Sequence, residues 1–136
     1  MKKEAKHLKL SSLPFDITSH PSLDLVAVSN IDGEITFLRC NGDDSGDNAG
    51  DSGVITALDT IKHHTDSCRR LLFSGSSLLS ISSDKTLVQC DVDSRRVIRR
   101  FDNEHALYAL CDVRNGNVFA TGDDEGVSWE VLCGSR

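Results

Sequence analysis

The sequence predicts an all-β fold: two four-stranded antiparallel blades of a β-propeller and a partial third. Three observations carry that reading. The segment Leu78-Leu79-Ser80-Ile81-Ser82-Ser83-Asp84-Lys85-Thr86-Leu87 returns as Val118-Phe119-Ala120-Thr121-Gly122-Asp123-Asp124-Glu125-Gly126-Val127, which sets Asp84 and Asp124 40 residues apart. An earlier copy at 25–35 precedes the one at 78–87 by 52 residues, and the surplus of 12 is the length of the acidic Gly/Ser/Asn stretch 41–52. Finally, no stretch of ten or more residues carries an apolar stripe at helical spacing. A β-unit recurring at a period of about 40 is the pattern of stacked propeller blades.

A basic lead-in occupies 1–12, with Lys2, Lys3, Lys6 and Lys9. The first blade, 13–62, has β-compatible runs at 13–18, 25–29, 35–40 and 54–61, with turns at His20-Pro21-Ser22 and Asp32-Gly33 and the inserted loop at 41–52. The second blade, 63–104, is clearest, with runs at 68–74, 78–82, 86–92 and 97–101. Gly75-Ser76-Ser77, Ser83-Asp84-Lys85 and Asp93-Ser94-Arg95 separate them, and such polar or glycine positions suit tight turns between antiparallel strands. The partial third blade, 105–136, has runs at 107–113 and 118–121 around an Asn115-Gly116 turn, after which the alternation fades into a divergent tail. A ring of even four such blades needs about 160 residues. The expectation is a shortened form of a longer propeller protein.

Composition narrows the function classes. The net charge of −6 is unevenly spread, with Asp43, Asp44, Asp47 and Asp51 in the insertion and Arg95, Arg96, Arg99 and Arg100 at a strand end. No aromatic residues interleave with the lysines, so direct nucleic-acid binding is disfavoured and the charges read as solvated edges. There is no run of 18 apolar residues and no apolar segment behind the basic start, so neither a membrane span nor a secretory leader is expected. The chain is expected to be soluble and intracellular. Five cysteines, Cys40, Cys68, Cys90, Cys111 and Cys133, form no CxxC pair and sit mostly in strand patterns, which reads as buried free thiols.

Taken together, these residues resemble the WD40-repeat family. In that family a His entering the repeat, a Ser or Thr in the second strand, an Asp in the following turn and a Trp in the third strand form a hydrogen-bonded structural tetrad. His64, Ser82 and Asp84 fit the second repeat, and His105, Thr121 and Asp124 fit the third. The tryptophan is missing from both: Cys90-Asp91 and Val131-Leu132 stand where it is expected. The strings Ser67-Cys68-Arg69-Arg70-Leu71-Leu72-Phe73-Ser74 and Ala120-Thr121-Gly122-Asp123-Asp124-Glu125-Gly126 are similar to the amino-terminal blades of a nucleolar branch of the family. The resemblance implies a non-enzymatic scaffold whose rim loops bind other proteins, acting on ribosomal RNA production or processing within a pre-ribosomal or nucleolar assembly in the nucleus.

Other chemistries fit less well. A Ser/His hydrolase using Ser82 and His64 lacks a GxSxG elbow, so no catalytic residue is expected. A substrate receptor for a cullin ubiquitin ligase would carry a Trp-Asp-x-Arg motif, which Cys90-Asp91-Val92-Asp93 is not. For calcium, Asp43, Ser45 and Asp47 alternate, but Asn48 stands where the turn glycine belongs and Val54 where the bidentate Glu belongs. For zinc, His63, His64 and Cys68 have no second close pair. No cofactor or metal is expected.

Overall fold

The computed structural model describes residues 7–41, 54–113 and 118–131. Lys2, Lys3, Lys6, Cys133, the Asn115-Gly116 turn and the acidic insertion beyond Asn41 lie outside these. Of the cysteines expected to be buried, Cys68 and Cys90 are, whereas Cys40 is half-buried and Cys111 is exposed. Within them, three antiparallel sheets form without any helix. The first holds β1 (Pro14–Ser19), β2 (Leu25–Asn30), β3 (Glu34–Asn41) and β4 (Val54–Lys62). The second holds β5 (Cys68–Ser74), β6 (Ser77–Ser82), β7 (Thr86–Asp91) and β8 (Val97–Asp102). In the third, β9 (Leu107–Asp112), β10 (Val118–Asp123) and β11 (Gly126–Val131) pair in sequence, so a strand exists where the sequence alternation fades. Each sheet is a meander, because its strands neighbour one another in chain order. This is a propeller arc of two four-stranded blades and a three-stranded third.

The alternation of each strand decides which sheet it faces. In β6, Leu78 points into a core shared with the first sheet, alongside Leu25, Ile35, Phe37, Leu71 and Phe73. Leu79 and Ile81 point the other way, into a core shared with Leu107 and Phe119 of the third sheet. Successive strand residues face opposite sides, so the middle sheet is covered on both faces and every residue of β6 is buried. The outer strands β4 and β8 are largely exposed. Innermost strands meet across blades: β5 packs against both β1 and β9, and Asp16 of β1 accepts the Leu71 backbone N–H at 2.8 Å.

Bulges and one close backbone contact shape the joints between blades. Each innermost strand carries a β-bulge against its neighbour, leaving Phe15, Arg69 and Tyr108 as the extra residues. Gly33, in the β2–β3 turn, has φ +87°, and a Cβ there would stand 2.5 Å from the Asp66 carbonyl oxygen and 2.6 Å from that of His64. The turn of one blade is thereby pressed onto the entry loop of the next. Of the basic strand end expected to be solvated, Arg95 is turned inward instead. Its φ of +65° lays its guanidinium 3.8 Å over the Phe37 ring and within 3.1 Å of Asp59 on β4. A planar cation over an aromatic face, neutralised by a carboxylate, explains why this arginine leaves water.

Candidate functional site

The second blade holds the best-connected polar cluster. His64, in the loop between β4 and β5, is buried with its Nδ1 3.1 Å from Asp84 Oδ2 and its Nε2 2.8 Å from Ser80 Oγ. Asp84 also accepts from the Thr65 N–H at 2.9 Å and from the Thr86 hydroxyl at 2.6 Å. With Nδ1–H donating to the carboxylate, Nε2 is left to accept the Ser80 hydroxyl, which fixes one neutral tautomer. Burial lowers the pKa of His64 despite the opposing pull of Asp84, and Arg100 and His63 add to the lowering. For Asp84, burial works upward, but the Thr86, Thr65 and His64 contacts together hold the carboxyl below its ordinary value.

The serine on His64 is thus Ser80, whereas the family pattern in the sequence points to Ser82. Residues two apart share a strand face, so both hydroxyls point the same way. Ser82 lies at the strand end, where it donates to the Asp66 carbonyl at 3.1 Å and accepts the Asp84 N–H at 3.0 Å. Cys90, where the tryptophan is expected, pairs with Leu78, two residues along β6 from Ser80, so the network ends at the serine without an indole. In the third blade, His105 Nδ1 lies 3.7 Å from Asp124 Oδ1 with both side chains well exposed. Thr121 is buried in β10, and no hydrogen bond joins it to His105 among the described residues. The cause is a shorter turn. Ile81 pairs with Leu87 across five residues, whereas Gly122 pairs with Val127 across four. Asp123, in register with Ser82 of the second blade, makes the contact to the entry loop instead, accepting Asn103 Nδ2 at 2.8 Å and the Glu125 N–H at 2.8 Å. Its carboxyl is held low, chiefly by the Asn103 contact.

The residue opening the turn repeats in function across all three blades. Asn30 Oδ1 accepts the Asp32 and Glu34 N–H groups, Ser82 Oγ accepts that of Asp84, and Asp123 Oδ1 accepts those of Glu125 and Gly126. The two longer turns then close in the same way. Gly33 N–H donates to the Asn30 carbonyl, Lys85 N–H donates to that of Ser82, and both residues have positive φ. Asn, Ser and Asp share an oxygen at the reach an Asx or ST turn requires.

Sequence similarity to known proteins places the chain beside these structural observations. The chain is 34% identical over 134 residues to WD repeat-containing protein 55 of Danio rerio, an alignment covering 94% of this chain and 32% of that protein. The chain belongs to the WD-repeat family. The WD repeat-containing protein 55 homolog of Drosophila erecta is 32% identical, with 88% of this chain and 22% of the relative covered. WD repeat-containing protein 55 of Bos taurus is 33% identical, with 79% and 27% covered. The chain therefore spans about a third or less of the length of these WD-repeat relatives. No family profile matches it.

The His64 pKa gives a pH signature. In the unfolded chain His64 takes up a proton at its ordinary 6.5, whereas in the fold it does so only at lower pH. The unfolded state then binds more protons, so stability should fall as pH drops through 6.5, with a further loss below 3.8 as Asp84 is protonated. Urea melts from pH 7.5 to 5 check this. His64→Gln should flatten the upper window, and an equally steep slope in that variant would assign the dependence elsewhere.

Proposed function

We propose that this chain is a non-enzymatic protein-interaction scaffold acting in ribosome biogenesis, in ribosomal RNA production or processing, and residing in the nucleolus. The observation carrying the non-enzymatic part is the burial of the best polar cluster. Ser80, His64 and Asp84 are connected as in a nucleophile–base–orienter relay, which makes geometry alone ambiguous. Accessibility separates the readings. Ser80 is 2% exposed and His64 1%, so no acyl group reaches the hydroxyl, and the relay serves to fix the β4–β5 loop against the β6–β7 turn. A buried, fully bonded network of this kind rigidifies the loops around it. Rigid loops on a repeat scaffold are what a docking surface needs.

The process is supported by similarity to the WD repeat-containing protein 55 relatives and by the likeness of the 67–74 and 120–126 strings to a nucleolar branch of the family. Depleting the protein should lower ribosomal RNA output or leave precursor RNA unprocessed, and a tagged copy should collect in nucleoli. A fluorophosphonate probe should leave Ser80 and Ser82 unlabelled. Unchanged precursor RNA with diffuse cytoplasmic tag would remove the ribosomal reading, and stoichiometric serine labelling would remove the scaffold reading.

A further inference from the structure

The β-bulges of the three innermost strands occupy one position in the repeat. Pro14, Cys68 and Leu107 pair with the turn openers Asn30, Ser82 and Asp123, and the extra residue follows each: Phe15, Arg69 and Tyr108. A bulge re-aims a side chain out of the strand alternation. Here it brings three blades together at one point, because Arg69 Cζ lies 5.7 Å from the Phe15 ring centre and 4.8 Å from that of Tyr108. Arg69 Nε donates to Ser83 Oγ at 2.6 Å, and Ser83 Oγ is 3.0 Å from Ser67 Oγ, which fixes the guanidinium plane. None of the hydrogen bonds of Arg69 Nη1 and Nη2 is satisfied among the described residues, and no carboxylate is paired with that side chain there. Tyr108 is 43% exposed, and Phe15 and Arg69 are half-buried, so the stack opens to solvent.

We propose that Arg69, framed by Phe15 and Tyr108, is a recognition site for a carboxylate side chain, Glu or Asp, on a segment of a partner protein. Aromatic contacts on the flanks of the guanidinium leave its in-plane N–H edge as the free recognition surface, and a carboxylate meets that edge with two parallel hydrogen bonds. One guanidinium in a chain of net charge −6 matches a planar monoanion better than a phosphate dianion or a polyanionic strand. Pre-organisation by two rings and a serine lowers the ordering cost of binding. The site deepens the scaffold reading and rests on it. A failed titration alongside a positive precursor-RNA result would remove this site and leave that reading standing.

The test is a nitrogen-15 NMR titration of the 136-residue chain, read at Arg69 Nε–H and the Tyr108 amide. The probes are the N-acetyl, N-methylamide derivatives of glutamate, glutamine and phosphoserine. The glutamate derivative should shift both signals saturably and bind about tenfold tighter than the glutamine one. Arg69→Lys should weaken it about fivefold by removing the fork, and Tyr108→Leu, which keeps bulk at an exposed position, about threefold by removing one π face. Equal responses to glutamate and glutamine, an unaffected Arg69→Lys variant, or tighter binding of phosphoserine would each overturn the assignment.

Discussion

Replacing Phe37 with alanine should lower the unfolding free energy by about 3–5 kcal/mol, measured by urea melts at pH 7.5. The ring is fully buried at the centre of the core between the first and second sheets, where Ile35, Leu25 and Leu78 surround it. Its removal opens a cavity that strands pinned by their ladders cannot collapse. A second loss comes from Arg95, which would keep Asp59 but lose the aromatic face beneath its guanidinium. Against a whole-domain stability of about 5–15 kcal/mol, such a loss puts the fold near its threshold. Phe37→Leu keeps most of the volume and should cost clearly less. A Phe37→Ala loss under about 1 kcal/mol would mean that the two sheets do not share this core.

Gly33→Ala should be nearly as damaging, at about 3–5 kcal/mol, from two sources that add. A positive φ strains any residue with a Cβ by about 1–3 kcal/mol. The new methyl would also meet the His64 and Asp66 carbonyl oxygens far inside contact distance, and backbone atoms cannot swing aside. Gly75→Ala provides the matched control, because its φ is +60° but nothing lies within 4 Å of the added Cβ. The control should show the conformational part alone. If both variants lose the same amount, the first blade's turn does not press on the loop that carries His64.

Much of the fold could be read from the chain because blades advertise themselves by recurrence. The 78–87 and 118–127 copies are visible without any packing information, and the strand runs follow from alternation around them. The polar details were less legible, for physical reasons. Ser80 and Ser82 lie on the same face of one strand, and only the register of β6 against β5 and β7 shows which hydroxyl reaches the imidazole. Asp123 and Asp124 are adjacent, and a turn shorter by one residue decides between them. Arg95 reads as a surface cation in a basic run, and nothing local reveals that a positive φ turns it onto an aromatic ring from another blade. The aligned bulges leave no mark in the sequence pattern, since an extra residue in one strand is a property of the pair.

The position that opens each turn is Asn30 in the first blade, Ser82 in the second and Asp123 in the third, and all three perform one task with one oxygen atom. What the turn needs there is an acceptor at a given reach, so exchange among these residue types should cost little while exchange for an aliphatic should not. The chain thus keeps one shape under a degenerate spelling. A repeat can keep its turn when its letters differ from blade to blade.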